Sequence, residues 1–279
     1  MNKRGNMLLY HYADQSAFMS IIENKELWAT KIQYLNDENE YKLALNLANE
    51  YLNELKNLAQ TELENQRVDE LITNLGYVND TNICVCSLSE HGDLLSQWRG
   101  YSSCLGGYSI GFENNELDRL AENQGFQLVK CVYDPTEQVR LVREAIDSVI
   151  NEANEPEIMP GTWDFFETGK SFRNKLASIS PIIKDHSFAE EAEWRLFSTR
   201  SFDELSFRAG RSMLTPFYRF SLGSNTKKLI GEIIVGHTPH AELAVRSTEA
   251  FLTKQHPPEN DDYTCQFDVR PSAIPFRNW

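Results

Sequence analysis

Two short stretches hold the residues that could do chemistry. One is Glu191-Ala192-Glu193-Trp194-Arg195 and the other is Tyr10-His11-Tyr12. The spacing of the two glutamates predicts the start of a strand, where residues two apart share a face. Like charges that close raise each other's pKa and cost stability, so the pair calls for a reason. A carboxylate can steady the positive charge that grows on a sugar carbon as its glycosidic bond breaks, and a second can orient or deprotonate the attacking group. The plainer reading is ion pairing with Arg195 or Lys184 at the surface. His11, set between aromatic residues in an early strand, could donate a ring N–H to a ligand hydroxyl. It could equally be a hydrogen-bonded core histidine. Tyr10 and Tyr12 alternate with it, and core packing is their default.

These residues need a scaffold, and composition bounds it. The chain has 279 residues, 41% hydrophobic and 24% charged, which suits a soluble globular protein of one large domain or two small ones. A formal net charge of -14 argues against broad binding to phosphate backbones. Five scattered cysteines, an odd number with no Cys-x-x-Cys, favour a reducing cytoplasm over a disulfide framework. Cys84 and Cys86 alternate with Ile83 and Val85 and read as small core residues. No signal peptide or transmembrane stretch is evident.

Strands are expected at 7–13, 27–31, 82–89, 107–112, 126–133, 194–199, 217–221, 229–235 and 266–269. Ser16 offers an N-cap to a short helix. Tyr41, Ala44, Ala48, Leu52 and Leu55 mark one face of a long helix, and another spans 61–75 up to Gly76. Helices at 137–153 and 163–178 make a helical insertion at about 136–180. A further helix is expected at 241–252. The element order fits a single α+β domain with mixed, mainly antiparallel sheets and flanking helices.

Other candidates are weaker. Trp98, Arg99 and Tyr101 before Gly106-Gly107 suit a flat ring stacked in a cleft, or a structural corner. Arg208 and Arg211 flank Gly210 in an expected loop and could meet a nucleotide diphosphate. No histidine or cysteine spacing points to a metal, and neither a phosphate loop nor a Gly-x-Ser-x-Gly elbow occurs.

A set of motifs runs along the chain in order: Leu9-Tyr10-His11-Tyr12, Leu27-Trp28-Ala29-Thr30, Leu35-Asn36-Asp37-x-x-Glu40, Cys86-Ser87-Leu88-Ser89, Gln97-Trp98-x-x-Tyr101, Gly107-Tyr108-x-Ile110-Gly111-Phe112, Glu191-x-Glu193-Trp194-Arg195 and Ser272-x-Ile274-Pro275-Phe276-Arg277. Together they resemble the bacterial family known as domain of unknown function 2971. More distantly, the opening strand, short helix and strand are similar to ADP-ribosyltransferase-fold proteins, including DNA-modifying toxins.

That second resemblance implies NAD as substrate and an ADP-ribosyltransferase-like fold. His11 would hold the NAD ribose, and Glu193 or Glu191 would stabilise the reacting sugar. Ser87, Trp98, Tyr101 and Tyr108 compete for the nicotinamide end. Tyr10, Arg195 and Arg208 join the expected nucleotide-binding set. The expected partners are a nucleotide ligand, a macromolecular acceptor and a neutralising or regulatory protein, in a bacterial toxin or anti-phage defence setting. Two rival expectations stand beside it. One is a non-catalytic nucleotide-sensing or protein-interaction module. The other is a metal-dependent nuclease built on Asp37, Glu40 and Glu191.

Overall fold

A run of alternating small and branched residues, Ile83-Cys84-Val85-Cys86-Ser87-Leu88-Ser89, forms the central strand of the protein. The computed structural model describes residues 7–35, 38–101, 106–152, 165–210, 212–257 and 264–275. Along them the elements run β1 (Leu8–Asp14), α1 (Gln15–Asn24), β2 (Glu26–Lys31), α2 (Glu38–Leu58), α3 (Glu62–Tyr77), β3 (Ile83–Ser89), α4 (Leu95–Tyr101), β4 (Gly107–Glu113) and α5 (Asn114–Asn123). They continue with β5 (Gln127–Lys130), α6 (Pro135–Glu152), α7 (Phe165–Ile179), β6 (Glu193–Thr199), β7 (Ser206–Ala209), β8 (Leu214–Ser221), α8 (Thr226–Leu229), β9 (Ile230–Val235), α9 (Ala241–Gln255) and β10 (Asp268–Pro271). Short 3-10 turns join several of them.

The ten strands form one sheet in the order β10-β9-β4-β1-β3-β2-β8-β7, with β6 on β3 and β5 on β6. The β9–β10 pair is parallel and the other strand pairs are antiparallel. The fold is therefore α+β with a mixed, mainly antiparallel sheet.

Strand β3 is buried on both faces because its side chains alternate between two cores. Cys84, Cys86 and Leu88 join one core with Phe18 and Ile22 of α1, Leu117 of α5 and Leu252 of α9. Ile83 and Val85 join the other with Tyr41, Ala44, Ala48 and Leu52 of α2, Val68 and Leu71 of α3, Val142 and Ile146 of α6, and Phe172 and Leu176 of α7. The two helices at 135–152 and 165–179 thus pack with α2 and α3 over one face of the sheet. Among the described cysteines none is in a disulfide; Cys84, Cys86 and Cys131 are buried and Cys265 is partly exposed.

Several local readings change. Asp14, rather than Ser16, caps α1, accepting from the Ala17 N–H at 2.8 Å, because the strand ends only at Asp14. Helix α3 starts with a Thr61–Glu64 capping box and runs through Gly76 to Tyr77. Helix α5, which supplies Leu117 and Ala121 to the core, was not expected. Strand β7 stands where a loop was expected around Arg208, and pairs with β8 in a hairpin whose turn closes through Gly210 N–H to Met213 O, 2.9 Å.

Candidate functional site

The site begins with a fork in the sheet. One edge of β3 is covered from Ile83 to Ser89 by β6. The other edge is shared. Strand β2 pairs at Lys31–Cys84 and Thr30–Val85, and β1 pairs only at Tyr10–Ser89. Between these two attachments, residues 86–88 have no strand register partner on that edge. Helix α1 makes the fork. It carries the chain from β1 to β2, ends with Lys25 in the left-handed region (φ 55°), and sets β2 down farther along the same edge of β3.

His11 fills the fork. Its Nδ1 lies 3.0 Å from the Ser87 carbonyl oxygen and 3.6 Å from Cys86 Sγ. A carbonyl can only accept, so Nδ1 carries the proton. Burial lowers the His11 pKa, and the bond to Ser87 pushes back less strongly. The ring is therefore neutral at pH 7 and Nε2 is an acceptor. This reverses the expectation of a donated N–H: toward a ligand hydroxyl, His11 accepts. Burial pushes the neighbouring Cys86 thiol up to about 12, so Cys86 is a weak S–H group and no thiolate nucleophile.

Around the fork lies a cleft of about 430 Å³, within the size range of small-molecule sites. Of the ten residues that the distant resemblance implies for the NAD site, eight line it, and Trp98 and Tyr108 do not. His11 and Tyr10 come from β1, Ser87 from β3, and Tyr101 from α4. Glu191, Glu193, Arg195 and Arg208 complete the eight. Sequence reasoning missed Trp28, Tyr34 and Phe188, which add aromatic wall, and named Lys184, also in the wall, only as a surface partner of the glutamates. Arg208 reaches Thr30 Oγ1 at 3.2 Å and lies over the Trp28 ring, its carbon 5.7 Å from the ring centre.

The two glutamates do not share a strand face. Glu193 opens β6, but Glu191 ends a 3-10 turn at His186–Glu191, and Ala192 between them is left-handed (φ 42°). They converge instead on one cation. Lys184 Nζ donates to Glu191 Oε2 at 2.5 Å and also to Glu193 Oε2. Arg195 Nε donates to Glu193 Oε1 at 2.9 Å, and Arg195 Nη1 donates to the Pro181 carbonyl at 2.6 Å. The Tyr133 hydroxyl accepts from the Glu193 N–H at 2.9 Å.

Lys184, Glu193 and Arg195 are all buried, so the pairing is internal rather than a surface affair. Burial by itself would raise the Glu193 pKa. The charges of Arg195 and Lys184, with their hydrogen bonds, outweigh it and hold the carboxyl at about 2. Glu193 is an ionised, fully bonded carboxylate. The signal for Lys184 was a lone lysine closing the apolar run Pro181-Ile182-Ile183. Its N–H donates to Val132 O at 3.1 Å beside the Val132–Ile183 bridge, which places it inward.

Trp98 does not line the cleft. Gln97 and Tyr101, four apart on α4, face the cavity, and Trp98 sits about 100° around the helix. It is buried edge-on to Tyr12, with ring centres 4.9 Å apart, and its Nε1 donates to Asp93 Oδ1 at 2.7 Å. Asp93 also accepts from Ser272 Oγ (2.6 Å) and the Ala273 N–H (2.7 Å). The tryptophan thus belongs to a knot that fastens the segment after β10. Tyr108 is also removed from the cleft, stacked on Phe18 in the core with ring centres 4.0 Å apart.

Asn36, Asp37 and Arg211, and the side chain of Glu40, lie outside the described residues. Among the described residues no group of three or more His, Cys, Asp or Glu could hold a metal ion, and no helix is long and apolar enough to cross a membrane.

Residues 97–196 match the model of the family described as Protein of unknown function (DUF2971). Over that segment the chain is similar to the DUF2971 family. The DUF2971 match contains Tyr101, Lys184, Glu191, Glu193 and Arg195, and leaves out β1 with Tyr10 and His11. No curated protein and no solved structure matches the chain.

Proposed function

We propose that the cleft binds NAD and that the protein transfers ADP-ribose to a macromolecule. One observation carries this reading: His11 and Glu193 lie on the wall of a single cleft that also has aromatic residues. In the proposed reaction the bond between nicotinamide and ribose breaks, and positive charge develops on the sugar. The Glu193 carboxylate meets that charge more strongly in the transition state than in the bound substrate. His11 Nε2 accepts from a ribose hydroxyl and fixes the sugar. Tyr101 or Trp28 stacks on a flat ring. The role as a toxin or defence effector, with a neutralising partner, belongs to the same proposal.

A second reading draws on the ion pairs. Lys184, Arg195, Glu191 and Glu193 sum to zero charge, and both Glu193 oxygens are held. A carboxylate so compensated is a poor electrostatic catalyst, which favours a module that senses a nucleotide without turning it over.

The test is NAD binding and NAD consumption, with protein, DNA and RNA offered as acceptors, for wild type, His11→Ala and Glu193→Gln. The transfer reading expects turnover by wild type and its loss in Glu193→Gln. It also expects binding about tenfold weaker in His11→Ala, from one lost hydrogen bond. Binding without turnover on every acceptor would leave the sensing reading. No binding would end both.

A further inference from the structure

Helix α4 turns two side chains toward the cleft, Gln97 and Tyr101. Gln97 is 8% exposed, yet its carboxamide makes no hydrogen bond to any described residue. Its oxygen and nitrogen are not sealed off either, so the amide opens into the cleft that Gln97 lines. Gln138 shows the usual fate of a buried amide. At 4% exposure, its Nε2 donates to the Val132 and Lys184 carbonyls, each at 2.7 Å. An amide taken out of bulk water without such partners costs stability unless something in the cleft meets it. The fold nevertheless fixes its place. The neighbouring Trp98 packs edge-on to Tyr12 and bonds to Asp93, and the Leu94 N–H donates to the Tyr12 hydroxyl at 3.0 Å. Helix α4 is thus pinned to β1, the strand that carries His11, with the Gln97 head group left open.

We infer that Gln97 recognises the carboxamide of a nicotinamide ring, and so selects the amide over the acid at that end of the cleft. Two carboxamides pair through two hydrogen bonds. Gln97 Nε2 donates to the amide oxygen on the ring, and the amide N–H on the ring donates to Gln97 Oε1. Tyr101, about one helical turn further on, borders the same space. Nicotinamide rather than adenine is assigned because α4 stands on β1, whose His11 would hold the reacting sugar, and nicotinamide is the ring joined to that sugar. No covalent bond changes at Gln97: the pair holds the leaving group. A carboxylate in place of the amide offers no donor and sets an oxygen against Gln97 Oε1, which is how the site discriminates. The inference deepens the NAD reading, on which it rests for the sugar but not for the amide pair.

The experiment measures calorimetric affinity of wild type, Gln97→Met and Gln97→Leu for NAD, nicotinic acid adenine dinucleotide, ADP-ribose and free nicotinamide. Both variants keep most of the side-chain volume and remove the amide. Neither breaks a hydrogen bond to a described residue, so thermal unfolding should find both at least as stable as wild type. The expected result is that both bind NAD and nicotinamide about tenfold more weakly than wild type, with ADP-ribose unchanged. Wild type should prefer NAD to its carboxylate analogue, and the variants should lose that preference.

NAD binding that is equal in all three forms would overturn the amide pair and leave the NAD reading standing. ADP-ribose weakened as much as NAD would place adenine on Gln97, overturning the nicotinamide assignment alone. Nicotinamide bound by wild type and weakened in the variants, with no dinucleotide bound by any form, would uphold the amide pair and remove the NAD reading. No binding of any of the four compounds by any form overturns both.

Discussion

Two carboxylates, the buried Glu193 and the partly buried Asp93, are held by several partners each, and of the two only Glu193 lines the described cleft. Asp93 gathers Trp98, Ser272 and Ala273, with Arg270 3.8 Å away, and it lines no described cleft. Glu193 gathers Lys184 and Arg195 and lines the 430 Å³ cleft. The difference lies in the chemistry of the partners. Asp93 is satisfied mostly by neutral donors that come from a segment distant in sequence, so its bonds tie the chain down. Glu193 is satisfied by full charges that a charged ligand could redirect. Saturated hydrogen bonding marks order in both places, but exchangeable charge next to open volume marks the candidate site.

The largest expected effect breaks the charged cluster. Arg195→Met leaves Glu193 with one cation and should cost about 3–5 kcal/mol of stability by urea unfolding, the range for splitting a buried ion pair. Asp93→Asn keeps the size of the side chain and can still accept some bonds, so it should cost about 1–3 kcal/mol. Equal losses in the two variants would erase the distinction between them.

Acid sharpens the same comparison. Both folded-state pKa values are depressed, so each carboxylate adds stability above its unfolded value and loses it as pH falls through the folded one. For Glu193 the window runs from about 4.5 down to about 2. Burial would raise the Asp93 pKa, but its bonds to Ser272, Trp98 and Ala273 lower it below 3.8, so its window opens later on acidification. The stability gap between wild type and Glu193→Gln should therefore begin to close near pH 4.5, and the gap to Asp93→Asn only below 3.8. Unfolding curves across pH 2–6 read both, and a gap that widens in acid would contradict the sign.

The smallest effect separates knot from cleft. Trp98→Phe removes the bond to Asp93 while filling most of the space, and should cost about 1 kcal/mol of stability. NAD affinity should be unchanged in this variant. A large loss of ligand binding would return Trp98 to the site.

Much of this was legible because it is local. The alternation of Ile83 to Ser89 and the face Tyr41-Ala44-Ala48-Leu52 express periods set by backbone geometry alone, and both are buried as the pattern requires. Helix α5 and strand β7 escaped notice for the opposite reason. The first is polar but for Leu117, Leu120 and Ala121, and the second is an exposed edge strand of four residues with no alternation to detect.

The residue types at the candidate site, His11, Glu191, Glu193 and Arg195, were readable from the sequence. Their arrangement was not. Period-two counting put the glutamates on one strand face, but a left-handed Ala192 breaks the count and both meet at Lys184 all the same. Sequence alone determined which groups were available and which of the strongly patterned segments would be strands and helices, since those follow from neighbours in the chain. Tertiary structure alone decided that β1 and β2 share one edge of β3, that the Ser87 carbonyl fixes the His11 proton, and that Lys184 is buried. Each depends on groups between seven and more than seventy residues apart, and burial and pairing are properties of the assembled surroundings and not of the residue.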